Sequence, residues 1–158
     1  MSDPYVREML EAEAEMYDNS KVVGVVTTQL PITEAMVDCI LVSAFDGSYG
    51  VCYYWAELNN LVAKKAETPD GFERWQQVTV TDIVERDEGS GEVNVYTINA
   101  TNITEAIQKF LDENSHMANN TITGYIRRAV QENDPGMIDG DAADCIVQVA
   151  AFGSVVYG

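Results

Sequence analysis

Two segments of this chain, residues 33–45 and 141–152, are apolar almost all the way round a helix. A helix without a polar face has nothing to offer solvent and belongs in the middle of a core. Any fold must therefore be built around this pair, with Ile40 and Ile146 among the most buried residues. Each segment also carries an aspartate inside its apolar run, Asp38 in the first and Asp144 in the second. The two share more than composition. Asp38-Cys39-Ile40-Leu41, then Ala44, Gly47 and Ser48, line up at a constant offset with Asp144-Cys145-Ile146-Val147, then Ala150, Gly153 and Ser154. Either these are two related helix–turn–strand units packed as a pseudo-symmetric pair, or they reflect the few residue types from which buried helices are made.

Around this pair the pattern predicts an α+β fold. Asp3 and Pro4 open a helix to about residue 17, with Val6, Leu10, Ala14 and Tyr17 on one stripe. Residues 22–28 are β-branched and apolar, a first strand. Thr33 caps the first apolar helix, and Gly47 suits a left-handed turn at its end. Residues 51–58, 75–84 and 93–98 read as three more strands, the last two joined by a polar, Gly-containing hairpin loop. Residues 102–113, 121–132 and 141–152 read as helices, the first opened by a capping box at Asn102-Ile103-Thr104-Glu105. The expectation is a small antiparallel sheet of about four strands packed with about five helices, two of them buried. A chain of 158 residues buries roughly two-thirds of its unfolded surface as one domain, without help from disulfides or a metal. Residues 21–158 are expected to form that domain, with an acidic helix over residues 1–20 at its periphery. The uncharged tail, Val155-Val156-Tyr157-Gly158, is expected to be packed.

Charge then limits the function. Asp and Glu number 26 against nine Lys and Arg, a net −17, yet 46% of the residues are hydrophobic. Disordered acidic segments are poor in apolar residues, so this charge must coat something folded. Such a surface repels nucleic acid and anionic membrane and attracts basic proteins or cations. Two patches stand out. Glu8, Glu11, Glu13 and Glu15 lie on the first helix; Glu85, Asp87 and Glu88 lie in the hairpin, flanked by Asp82 and Glu92. No apolar run approaches the roughly 20 residues that span a bilayer, and the opening residues lack the pattern of a signal peptide. Three cysteines, Cys39, Cys52 and Cys145, form no CxxC pair, which argues against a disulfide scaffold or zinc ribbon. The expected setting is a reducing cytoplasm.

Catalytic motifs are missing from the sequence: there is no GxGxxG, Walker-type loop, GxSxG or HExxH. The only histidine, His116, sits in a polar stretch and reads as a loop residue. Glu132, Asp134, Asp139, Asp141 and Asp144 put five carboxylates within thirteen residues, and hard cations favour oxygen. Their spacing does not fit a calcium loop, and Asp139 or Asp141 as a helix cap accounts for most of them. Asp38 and Asp144 are the pocket candidates. If the two apolar helices lie side by side, the carboxylates could share a site as an acid/base pair. The structural alternative sets each against a neighbouring helix N-terminus, or against Arg127 or Arg128. Tyr53, Tyr54 and Trp55 have the faces to stack on bases, but only Lys64, Lys65 and Arg74 lie near in sequence, too few for a nucleic-acid groove at this net charge. No cofactor, metal or direct nucleic-acid contact is expected.

The two apolar segments also carry a resemblance. Ile32-Thr33-Glu34, Asp38-Cys39-Ile40-Leu41, Ala44, Gly47 and Tyr53-Tyr54-Trp55 resemble the opening of a group of small uncharacterised proteins from tailed bacteriophages and prophages. The stretch from Asp141-Ala142-Ala143-Asp144-Cys145-Ile146-Val147-Gln148 through Phe152-Gly153-Ser154-Val155-Val156-Tyr157-Gly158 is similar to that group's C-terminus and is the more specific match. The resemblance covers about a third of the chain and implies a phage origin with expression in the cytoplasm of a bacterial host. It assigns no activity.

Three functions follow as expectations. The first is an accessory protein that binds a basic host protein through the acidic patches, as an inhibitor or DNA mimic. The second is an enzyme or small-molecule binder with a pocket near Asp38 and Asp144. The third is a self-associating or virion-linked protein, its tail completing a homodimer.

Overall fold

The computed structural model describes residues 29–47, 50–65, 69, 71–86, 91–112 and 118–158. The expected N-terminal helix and the expected strand over residues 22–28 lie outside these. In chain order the described elements are helix α1 (Glu34–Phe45), a 3₁₀ turn (Val51–Tyr54), strands β1 (Ala56–Lys65), β2 (Glu73–Arg86) and β3 (Val93–Asn99), helices α2 (Ala100–Leu111) and α3 (Asn120–Glu132), a second 3₁₀ turn (Pro135–Met137), and helix α4 (Gly140–Phe152). The class is α+β. Among the described residues there are three strands and four α-helices, where about four and five were expected.

The sheet runs β1–β2–β3, antiparallel throughout. Register pairs Leu58 with Val80, Val80 with Tyr96 and Val78 with Ile98. Because side chains alternate along a strand, Val78, Val80 and Ile98 all fall on one face, and all three are buried there. Helix α1 packs across β2 and against α4, and α4 in turn meets α2, α3 and β3. Ile40 and Ile146 are both fully buried, so the two apolar helices form the centre of the core as their composition predicts.

Local chemistry sets the helix ends. Thr33 Oγ1 accepts the Met36 N–H at 3.2 Å, and Asp139 Oδ1 accepts the Ala142 N–H at 2.8 Å. Both side chains satisfy a backbone donor that the first turn leaves open. Gly153, at φ 83°, closes α4 in the left-handed region. The capping box of α2 lies three residues before the expected one. Asn99 accepts from the N–H groups of Thr101 and Asn102, and Asn102 Oδ1 accepts the Asn99 N–H at 2.8 Å. Strand β3 passes into α2 without a loop, so its last residue serves as the cap.

The strand expected over residues 51–58 is a strand only from Ala56. Residues 51–54 form a 3₁₀ turn, and the strand begins at Ala56 and continues through residues whose polarity had not suggested it. The reason is convergence. Cys52, Tyr54 and Trp55 all aim polar atoms at Asp144, whereas a strand would send Trp55 to the face opposite Cys52 and Tyr54. Two glycines allow the turn to seat. A Cβ on Gly50 would come within 2.9 Å of Phe45 Cα and 2.8 Å of the Ala44 carbonyl oxygen, and one on Gly140 within 2.7 Å of Val51 Cγ1. The echo between the apolar helices does not extend past their turns: α1 is followed by the 3₁₀ turn, while residues 155–158 after α4 form no strand.

Truncating the centre of this core should be expensive. Ile146→Ala is expected to lower unfolding free energy by about 2–5 kcal/mol, measured by urea denaturation.

Candidate functional site

Asp144 lies on the second turn of α4, one helical turn before Gln148, so both side chains leave the helix on the same face. The half-buried carboxylate accepts four hydrogen bonds. Trp55 Nε1 donates to Oδ1 at 2.9 Å, Gln148 Nε2 at 3.0 Å and Cys52 Sγ at 3.3 Å, while the Tyr54 hydroxyl donates to Oδ2 at 2.5 Å. Gln148 is fully buried. Its Oε1 accepts the N–H groups of Val156 at 2.9 Å and Tyr157 at 2.8 Å, and its Nε2 donates to the Tyr157 carbonyl at 2.9 Å. The tail is therefore held against α4 by a side chain acting as a surrogate strand partner. Tyr157 stacks on Trp55 with centroids 5.9 Å apart, and Phe152 meets both rings edge-on or tilted, at 5.7 Å and 5.1 Å.

A second carboxylate joins this network. The Tyr157 hydroxyl donates to Asp82 Oδ2 at 2.8 Å, and Asp82 Oδ1 accepts the N–H groups of Val84 at 2.9 Å and Glu85 at 3.2 Å. Asp82 had been grouped with the surface acids of the hairpin, but it is 1% exposed. Alternation carries the signal for this, since Val78, Val80 and Asp82 share the inward face of β2. Gln148 had been missed too; its signal is its spacing from Asp144 along an apolar helix.

Asp38 has a different partner. Its Oδ1 accepts the Trp75 N–H at 2.7 Å and so fastens α1 to β2. Asp38 and Asp144 have no hydrogen-bond partner in common, and neither is held by Arg127 or Arg128, which are exposed. Trp75 also forms part of a cleft of about 350 Å³, whose walls include neither Asp38 nor Asp144.

The remaining candidates are dispersed. Glu85 is exposed at the end of β2, whereas Glu8, Glu11, Glu13, Glu15, Asp87, Glu88 and His116 lie outside the described residues. Of the carboxylates between α3 and α4, Glu132 pairs with Arg128 at 3.2 Å, Asp134 accepts the Gly136 N–H and Asp139 caps α4. Among the described residues, no group of three or more His, Cys, Asp or Glu is placed to hold a metal ion, and no helix is long and apolar enough to cross a membrane. The cysteines are free thiols. Burial and then the Asp144 charge push Cys52 well above its ordinary pKa, and the same two causes raise Cys145 to about 11. Burial and hydrogen bonding to carboxylates likewise raise Tyr54 and Tyr157. None is a thiolate or phenolate at neutral pH, so the network holds protons and offers no activated nucleophile.

Comparison with protein-family models, curated proteins and solved structures finds no match for the chain.

Four donors on one carboxylate tie Asp144 into the fold, and two outcomes follow. Asp144→Ala should strand the buried Trp55 indole N–H, at about 1–3 kcal/mol for each buried donor left without an acceptor. Asp144→Asn should fall between that variant and the parent, because one amide oxygen remains; chemical denaturation orders the three. The second outcome concerns alkali. Below the ordinary thiol value of 9.0 folded and unfolded chains both keep their protons, and the raised values have no effect. Above it the unfolded chain ionises first, so stability falls with pH, and for Cys145 the fall levels off near 11. The unfolding midpoint should drop between about pH 9 and about pH 11, and Cys145→Ala should flatten that slope.

Proposed function

We propose that the protein acts by binding: a phage accessory protein whose acidic surface occupies a basic surface on a host protein, in the manner of a DNA mimic. The observation that carries this reading is the division of the carboxylates. Asp82, Asp144 and Asp38 are engaged in hydrogen bonds that hold the fold, while Glu57, Glu85, Glu105 and Asp141 are exposed around a core of neutral side chains. With a net charge of −17, that outer layer is an electrostatic surface in search of its complement. Duplex DNA presents one negative charge per roughly 1.7 Å of axis, and a nucleic-acid-binding cleft built for it attracts any rigid surface of similar charge density. The resemblance to small phage proteins supports a host target in the bacterial cytoplasm.

Long-range attraction between charged surfaces is screened over about 8 Å at physiological salt. Association with a basic partner captured from a bacterial lysate should therefore slow as salt rises. Reversing Glu11, Glu15, Glu85 and Glu88 to Lys should weaken that binding and leave the unfolding midpoint near that of the parent. Equal binding by the reversed variant, or loss of activity in Asp38→Asn alone, would move the function to a pocket.

A further inference from the structure

The described wall of the cleft beside Trp75 is rich in bases, in a molecule whose net charge is −17. Three of the nine bases in the chain, Lys64, Lys65 and Arg74, line it. Lys64 and Arg74 are direct partners across the β1–β2 pair, a placement of like charges that destabilises a sheet. Among the described residues, no carboxylate lies within ion-pair distance of any of the three. Among the described residues of the wall Glu34 is the one carboxylate, set against the three bases. The rest of the described wall includes Trp75, Val62, Ile32 and Val37 together with Gln76 and Gln77. At about 350 Å³ the volume is at the lower end of the range for small-molecule sites.

A surface that needed only solubility would carry acids here as it does elsewhere. Glu73 stands opposite Lys65, but Lys64 and Arg74 face each other, and an anion between them would offset their repulsion. The overall negative charge opposes anions from afar, but screening within about 8 Å leaves the local bases in control at the cleft mouth. Lysine and arginine together suit an oxyanion that accepts several charge-assisted hydrogen bonds, and a ring face beside them suits a flat or apolar body.

We propose that this cleft binds a small organic dianion, a phosphate or dicarboxylate group on a flat or apolar body, with Lys64, Lys65 and Arg74 on the anionic group and Trp75 and Val62 against the body. This site is independent of the acidic surface proposed above. The test uses the full chain, with phenyl phosphate and phthalate as probes, phenol as the uncharged control, and ionic strength held constant. Calorimetry and tryptophan fluorescence should report one-to-one binding of at least one dianion at about millimolar concentration, and no binding of phenol. Preference for phenyl phosphate identifies a phosphate site; preference for phthalate identifies a carboxylate site. Lys64→Gln should weaken binding by roughly tenfold while leaving the melting temperature of the free protein unchanged or higher, because cross-strand repulsion is removed. Trp75→Phe should abolish the fluorescence response and retain binding, since Trp55 is buried elsewhere. Absence of binding by both dianions up to about 10 mM, or parental affinity in Lys64→Gln, overturns the proposal.

Discussion

Asp144 collects donors from two stretches of chain some ninety residues apart, and the architecture at that end of the core follows from satisfying it. The 3₁₀ turn brings Cys52, Tyr54 and Trp55 to its two oxygens, and Gln148 reaches it from the next turn of its own helix. A buried acceptor left unmet costs more than a met one contributes. That asymmetry explains why residues with strong strand propensity give up a strand. It also explains why Gly50 and Gly140 stand where the turn meets α1 and α4, since a side chain at either would hold the turn away from the carboxylate.

A chain with nine bases and 26 acids has few cations to spare for its interior. Its inward carboxylates are accordingly served by neutral donors: an indole, hydroxyls, a thiol, an amide and backbone N–H groups. Neutral donors spread a negative charge without bringing a second charge out of water, so they avoid the double desolvation of a buried ion pair. Among the described bases, Lys64, Lys65 and Arg74 lie at the cleft, Lys109 on α2, and Arg127 and Arg128 on α3. The cleft is thus a local exception in a molecule whose interior electrostatics make no use of Lys or Arg among the described residues.

Much of this fold was legible in the sequence, and the parts that were not share a cause. Apolar periodicity located α1 and α4 and their burial; Thr33, Gly47 and Gly153 marked their ends; alternation located β2 and β3. All of these signals are local. The 3₁₀ turn over residues 51–54 was misread because Val, Cys and Tyr favour strands, whereas the deciding contact lies on α4. The greater part of β1, beyond Leu58, was missed because it is an edge strand with a polar exposed face and bulges after Leu58 and Val62, which break the alternation that would reveal it. At the site, the inward position of Asp82 follows from period two, but its tie to Tyr157 depends on a tail whose path no local pattern encodes. The bases of the cleft were visible only as scattered residues. It is the pairing of Lys64 with Arg74 that turns them into a site.

The buried network also bears on how an acidic surface could work. Asp82 holds the backbone of Val84 and Glu85 with one oxygen and the Tyr157 hydroxyl with the other. Tyr157 is fixed in turn by Gln148 and by stacking on Trp55. The backbone of Val84 and Glu85 is thereby tied, through the Asp82, Tyr157 and Gln148 side chains, to α4, one of the two central helices. Holding a charged segment in one geometry before a partner arrives reduces the ordering that association would otherwise require. A mimic of a rigid polyanion needs that property, because its target cleft matches the spacing of charges as well as their sign. Under the proposed reading, Asp82 joins the carboxylates that hold the fold to Glu85, one of those offered to a partner.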